Sequence, residues 1–298
     1  MLCVSCVSCI KEDLDPQERQ VSVSVHAHFE RGLGFVADRD WDMAITEFDA
    51  MIELDPKDAT AYECRGCARF MKGDSDKAIT DLSRAIQFNP TNPSVYFNRA
   101  GVYRAKGNFR KALEDFDVCL QLAPSNHQAF KYRATVHSSI GSDDKAIADW
   151  NEYLRFESKD ARSFYARGFT HFRLRQFNKA LEDYRESLRL APKQPDVLNQ
   201  IAWIQAVCPV DAARNGREAI MVATEACELT EWRSSQFIDT LAAAFAEVGD
   251  FASAVKYQRR AIELGDTNEV VVGQMKERLL LFETSQPFRE AKNATSSN

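Results

Sequence analysis

The chain has 298 residues, of which 45% are hydrophobic and 28% are charged, and its formal net charge is −6. This balance is typical of a folded protein and excludes disorder over most of the length. Nucleic acid is disfavoured as a partner, because nucleic-acid-binding proteins usually carry an excess of basic residues. Uncharged apolar runs such as 279–282 are far shorter than a membrane-spanning helix needs, so we expect no transmembrane segment.

The amino-terminal segment, 1–24, shows no helical periodicity and is predicted to be disordered or the remnant of a leader. Cys3, Cys6 and Cys9 have the C-x-x-C-x-x-C spacing of zinc or iron–sulfur ligands. A fourth ligand is missing at the expected distance, so we expect neither a metal nor another cofactor. The eight cysteines show no disulfide pattern, which favours a reducing, cytoplasmic setting. If 1–24 is a truncated signal, the protein is exported instead.

From residue 25 to residue 192 the chain repeats itself every 34 residues. Each repeat has an arginine followed by a small residue, and sixteen positions after the arginine an acid followed by a bulky residue. The arginines are Arg31, Arg65, Arg99, Arg133 and Arg167, and the acids are Glu47, Asp81, Asp115, Asp149 and Asp183. An alanine keeps the same interval at Ala44, Ala78, Ala112, Ala146 and Ala180.

Each repeat is predicted to be a pair of helices joined by a turn. Turn signals such as Lys72-Gly73-Asp74 lie in the middle of a repeat and divide it into two halves. Within each half, apolar residues recur every three to four positions. Prolines close four of the repeats, at Pro56, Pro90, Pro124 and Pro192. These features resemble the tetratricopeptide repeat family. The resemblance implies an all-α, right-handed solenoid of about seven helical hairpins with a carboxy-terminal capping helix.

The predicted repeats cover 25–56, 59–90, 93–124, 127–158, 161–192, 195–230 and 235–267. The sixth has a longer hairpin loop near 208–211, because Ala202 and Ala219 stand 17 residues apart instead of 12. A capping helix is expected over 268–284, with Val271, Met275, Leu279 and Leu280 on its apolar face. A flexible tail is expected over 285–298. The sequence after residue 200 also resembles a tail found in bacterial tetratricopeptide proteins, which implies a bacterial origin.

We name the five recurring arginines and the five recurring acids the arginine and acid ladders. We interpret both ladders as structural, meaning that they hold the helices together. A partly buried arginine needs a carboxylate partner, and the constant spacing favours pairs that join the helices of a hairpin or neighbouring hairpins. A charged stripe that binds a ligand is the alternative.

The resemblance implies that the first helices of the hairpins form a continuous surface that binds a protein or peptide. In the family, the second, fifth, ninth, twelfth and thirteenth residues of a repeat face the ligand. Counting in this way selects Phe97, Arg104, Lys131, Arg162, Tyr165, Phe169, Arg173, Asn199 and Trp203. Cations among aromatic anchors favour an acidic peptide as the ligand. Packing between repeats is the alternative role for Phe169, Phe172 and Trp203.

The sequence contains no combination of residues that indicates catalysis. His137 and His171 occupy the same place in two repeats and are interpreted as packing residues. Cys208 lies in the longer loop without a nearby base. We therefore predict a non-catalytic scaffold or adaptor. The alternative is a regulatory part of a longer enzyme, or of an exported lipoprotein, whose start is missing.

Overall fold

The computed structural model describes residues 16–265 and 267–291. Within these ranges it contains fifteen α-helices and one short 3-10 turn, with no strand, which confirms the all-α class. The chain divides into two compact units, residues 1–140 and 141–298. The three cysteines of the amino-terminal motif, Cys3, Cys6 and Cys9, lie outside the described residues.

The first unit contains seven helices that pack as successive hairpins. They are α1 Pro16–Ala37, α2 Trp41–Leu54, α3 Ala59–Lys72, α4 Ser75–Phe88, α5 Pro93–Ala105, α6 Phe109–Leu122 and α7 His127–Ser139. Helix α1 begins at Pro16, within the segment expected to lack structure, and not at Val25. The alternating Val-Ser sequence over 21–25 hides the helical period, whereas Phe29 and Val36 pack on the core of this hairpin.

The second unit contains eight helices and the 3-10 turn Asp211–Ala213. The helices are α8 Asp143–Phe156, α9 Ala161–Arg173, α10 Phe177–Leu190, α11 Pro195–Val207, α12 Gly216–Leu229, α13 Ser235–Glu247, α14 Phe251–Leu264 and α15 Glu269–Glu283. The 3-10 turn lies in the loop between α11 and α12, where the sequence predicts an insertion. Helix α15 packs mainly on α14 and therefore caps the stack of this unit.

Helix starts are fixed by short polar side chains at the same place in successive repeats. Asp58, Asn92, Asn126 and Asp160 precede the first helices, and each accepts hydrogen bonds from backbone N–H groups of the first turn. Such capping satisfies donors that have no partner inside the helix. The 34-residue period thus specifies helix boundaries as well as the core.

The small residue after each ladder arginine lets the two helices of a hairpin approach closely. A β-carbon built on Gly168 would lie 2.8 Å from the ring of Tyr184, and one on Gly66 would lie 2.9 Å from Leu82. In both hairpins the bulky residue comes from the second helix and fills the space that the glycine leaves. Glycine is required here by space rather than by backbone conformation.

The capping helix packs Val271 and Met275 of the predicted apolar face against the core, but it leaves Leu280 of that face exposed. Met275, Arg278 and Phe282 are buried, whereas Leu280 is 64% exposed. Arg278 donates from Nε and Nη2 to the two carboxylate oxygens of Asp239 on α13, at 2.9 and 2.8 Å. The prediction is wrong for Leu280 alone, and the ion pair attaches α15 in addition to the apolar packing of Met275 and Phe282.

Candidate functional site

The ladder arginines pair with the acids sixteen positions later. Arg65 donates from Nε and Nη2 to the carboxylate of Asp81, at 2.9 and 2.7 Å, and Asp81 is only 2% exposed. The same bidentate contact joins Arg99 to Asp115 and Arg167 to Asp183. Two parallel charge-assisted hydrogen bonds hold the first and second helices of these three hairpins in register.

The same arginines also reach the preceding hairpin. Nη1 donates to a residue sixteen positions earlier, and the pairs are Arg65–Asp49, Arg99–Ser83, Arg133–Asp117 and Arg167–Asn151. Each of these contacts lies within one unit. These four arginines therefore join successive hairpins, and Arg65, Arg99 and Arg167 also join the two helices of their own hairpin.

The first acid of the ladder, Glu47, is contacted by a histidine as well as by its arginine. Arg31 donates from Nε to Glu47 at 3.0 Å, and His28 Nδ1 lies 2.7 Å from the same oxygen. The hydrogen bond from Arg31 lowers the pKa of Glu47. The fourth acid, Asp149, is buried on α8.

In the first unit the predicted ligand-facing residues pack between hairpins. The ring of Phe97 lies 6.0 Å from that of Phe116 and 5.6 Å from that of Tyr132. The guanidinium of Arg104 lies 5.0 Å from the centroid of the Tyr132 ring. Lys131 lies half-buried on α7. Phe97 and Arg104 therefore contribute to packing whether or not they bind a ligand.

A polar cluster that sequence spacing did not predict lies beside these residues. The carboxylate of Glu63 accepts hydrogen bonds from Ser94 Oγ at 2.5 Å, Asn98 Nδ2 at 2.8 Å and Asn92 Nδ2 at 3.1 Å. Burial raises the pKa of Glu63, and the three hydrogen bonds oppose that rise. The donors come from the next hairpin, which explains why the period within one repeat gave no sign of the cluster.

In the second unit, α9 carries the most exposed of the predicted aromatic residues. Phe169 is 39% exposed and stacks on Phe172, with ring centroids 6.5 Å apart. Arg162 is exposed on the same helix. Tyr165 instead packs on Tyr184, with centroids 5.7 Å apart. Arg173 donates from Nε to Asp143 at 3.0 Å, so its charge is already balanced.

Helix α11 carries the last two predicted residues. Asn199 is half-buried, whereas Trp203 contacts Phe288 and Glu290. These two residues belong to 286–291, which we name the C-terminal segment. The indole Nε1 of Trp203 donates to Glu290 Oε1 at 2.8 Å, and its ring lies 6.0 Å from that of Phe288. A flexible tail is predicted from 285 onward, and in the structure the side chains and backbone of this segment contact α11.

The longer loop between α11 and α12 borders a polar cavity of about 370 Å³. Arg185 and Glu218 line it and pair at 3.1 Å. Cys208, at the start of the loop, is 1% exposed and its sulfur accepts a hydrogen bond from the Val210 N–H at 3.5 Å. Burial raises the pKa of this thiol, so the loop does not activate it as a nucleophile.

The other thiols among the described residues are buried or half-buried, and the two histidines predicted to pack, His137 and His171, are both buried. Burial raises the pKa of Cys67 and of Cys227 to about 12 and that of Cys119 to about 11. His171 is 7% exposed, its Nδ1 lies 2.9 Å from Gln176 Oε1, and burial lowers its pKa. Among the described residues no group of three or more His, Cys, Asp or Glu is placed to hold a metal ion. Nor does any described helix combine the length and apolar character needed to cross a membrane.

Known structures share this architecture. The C-terminal part of a TPR repeat-containing protein from Cytophaga hutchinsonii has a TM-score of 0.64 and 16% identity, with 82% of this chain and 98% of that chain covered. A tetratricopeptide repeat protein from Parabacteroides merdae has a TM-score of 0.56 and 16% identity, covering 87% and 99%. YrrB, described as a TPR protein with an unusual peptide-binding site, has a TM-score of 0.57 and 18% identity, covering 66% and 97%.

Family models match the regular part of the sequence. The model described as TPR repeat matches residues 66–107, and the one described as Tetratricopeptide repeat matches 93–126 and 161–194. No curated protein matches significantly. With these matches and helical hairpins in the same 34-residue register in both units, the chain carries tetratricopeptide repeats.

Proposed function

We propose that this protein is a scaffold that binds a protein or peptide through the exposed faces of its first helices. The observation that carries the proposal is Phe169, a large aromatic side chain 39% exposed on α9 and stacked on Phe172. Arg162 is exposed on the same helix. Aromatic and arginine side chains are the residues that most often anchor protein interfaces.

The charges on α9 narrow the chemistry of the ligand. Sequence alone favours an acidic peptide, yet Arg173 is paired with Asp143 and offers no uncompensated charge. Arg162 is the predicted cation that stays exposed on this helix. We therefore propose a ligand with an apolar or aromatic anchor for Phe169 and an acidic group only opposite Arg162.

The similarity to YrrB supports a peptide as the ligand class, because that protein is described as having a peptide-binding site on the same fold. Many unrelated functions use this fold, so the side chains on α9 carry the proposal and the similarity adds to it.

Co-purification tests the proposal. Tagged wild-type protein and a Phe169→Glu variant are used to capture partners from the native lysate, and Met221→Glu serves as the matched control. Met221 is 69% exposed on α12, a second helix, so its substitution adds the same charge on another surface. We expect Phe169→Glu to lose a partner that wild type and Met221→Glu both retain. Equal partner sets for all three proteins would contradict the proposal.

A further inference from the structure

We propose that α11 and α13 form a peptide-binding site that recognises an aromatic-Arg-Glu sequence, and that the C-terminal segment is its resident ligand. This inference rests on the proposed function and specifies the ligand of one part of the surface. A partner that carries the same chemistry would bind there by displacing the segment.

The aromatic residue is recognised by stacking. Phe288 lies 6.0 Å from the ring of Trp203, and the guanidinium of Arg278 lies 5.4 Å from the centroids of both rings. Arg278 is held by Asp239 through two hydrogen bonds, so the cation is fixed before a ligand arrives. A preorganised Trp-Arg pair favours an aromatic side chain over an aliphatic one.

The arginine is recognised by an acid and by the end of a helix. Arg289 forms an ion pair with Glu247 at the end of α13. Its Nη1 also lies 3.5 Å from the carbonyl oxygen of Ala206 in the last turn of α11. The last carbonyls of a helix lack partners within it and attract cations. This position therefore selects a positively charged residue.

The glutamate is recognised by three groups. Its backbone N–H donates to the carbonyl of Val207 at 3.0 Å, and its side chain accepts from Trp203 Nε1 at 2.8 Å. Arg175 lies 3.8 Å from the Glu290 carboxylate, and its Nη2 donates to the carbonyl of Ala291 at 2.9 Å. Three consecutive side chains of the segment are thus each matched to complementary groups.

The register of the repeats assigns these contacts to positions that are predicted to face a ligand. In the sixth repeat, which starts at Pro195, Trp203 is the ninth residue and Ala206 and Val207 are the twelfth and thirteenth. In the seventh, which starts at Ser235, Glu247 is the thirteenth. These are the positions expected to face a ligand in this family. The segment therefore lies where a peptide from another protein would bind.

The C-terminal segment is exposed enough to be displaced from its site by a competing peptide. Phe288, Arg289 and Glu290 are only half-buried, and Gln286, Pro287 and Ala291 are exposed. Its short connection to α15 keeps it at an effective concentration on the order of millimolar, which suppresses competitors without making the site inaccessible. A free peptide that binds with a Kd of about 0.1 mM would then appear about ten-fold weaker.

The test uses full-length protein and a fluorescent synthetic peptide with the sequence of residues 285–291. Its binding is measured by anisotropy to wild type, to Phe288→Ala, in which the resident aromatic is removed, and to Phe288→Ala combined with Trp203→Ala. We expect Phe288→Ala to bind the peptide about ten-fold more tightly than wild type, and the double variant to lose binding. A control peptide with Arg and Glu exchanged keeps the composition and is expected to bind weakly.

Arg289→Glu is a second variant that should release the C-terminal segment, because the new carboxylate repels Glu247 and no apolar packing is removed. Thermal unfolding shows whether each variant is folded. The inference would be overturned if wild type, Phe288→Ala and Arg289→Glu bound the peptide with equal affinity. It would also be overturned if the control peptide, with Arg and Glu exchanged, bound as tightly as the original peptide. If either result is found while Phe169→Glu still loses its partner, the proposed function stands and only the inference about the C-terminal segment fails. If peptide binding is found but Phe169→Glu retains every partner, the surface on α9 is assigned wrongly.

Discussion

At the residue scale, the closest approach between helices depends on single glycines. We predict that Gly168→Ala destabilises the protein by about 1 to 3 kcal/mol, because the new methyl group would lie 2.8 Å from the Tyr184 ring and the core must shift. Gly273→Ala is the matched control in the same unit, since a β-carbon there meets nothing within 4 Å. The control is expected to be neutral or to stabilise by up to about 1 kcal/mol. Urea unfolding of both variants measures the difference, and similar losses would contradict the account.

A second prediction concerns the buried imidazole of His171, whose pKa is lowered by burial. Asp183 lies 3.9 Å from Nε2 and opposes this shift. Because the unfolded state takes up the proton first, the free energy of unfolding falls as pH drops below about 6.5, the ordinary histidine value. His171→Gln removes this contribution while the other histidines stay the same. Between about pH 7.5 and 5.5 we expect a smaller loss of stability in the variant than in wild type. Parallel curves would show that His171 does not titrate in this way.

The ladder, the small residues and the alanines could be predicted from sequence because each depends on one repeat and recurs every 34 residues. Glu63 could not, since its partners Asn92, Ser94 and Asn98 belong to the following hairpin. A contact between two repeats can be recognised from the 34-residue sequence period only if both of its residues recur in other repeats.

At the element scale, the arginine ladder is expected to stabilise the packing of hairpins. Arg99→Ala leaves the carboxylate of Asp115, which is 5% exposed, without its bidentate partner, and we predict a loss of roughly 3 kcal/mol. Arg110→Ala is the matched control, because Arg110 lies 3.5 Å from Glu114 with both side chains exposed. Its effect is expected to stay below about 0.5 kcal/mol. Chemical denaturation of the two variants distinguishes scaffold from ligand-binding roles, and an unchanged stability in Arg99→Ala would argue for the latter.

The ends of the stack show where the repeat pattern stops being informative. The sequence predicts α15 as an amphipathic cap, yet its attachment depends on the buried pair of Arg278 with Asp239. Neither residue occupies a ladder position, so periodicity could not reveal the pair. The C-terminal segment was missed for the same reason, because its contacts with Trp203 and Val207 join residues about 85 positions apart through one non-repeated sequence.

At the scale of the whole molecule, the regular contacts and the irregular ones have different roles. The ladder and the glycine contacts are repeated and hold the hairpins together. Phe169 on α9 and the contact of Trp203 with Glu290 do not recur from one repeat to the next, and function in repeat proteins lies in such side chains.

Site-specific photo-crosslinking tests the central claim that first-helix faces bind a protein. A photo-reactive phenylalanine analogue replaces Phe169 on α9 in one protein and Met221 on α12 in the other, and both are irradiated in native lysate. The account predicts a discrete crosslinked product at position 169 that is absent at position 221, of the mass expected for the co-purifying partner. Crosslinking at 221 and not at 169 would contradict it.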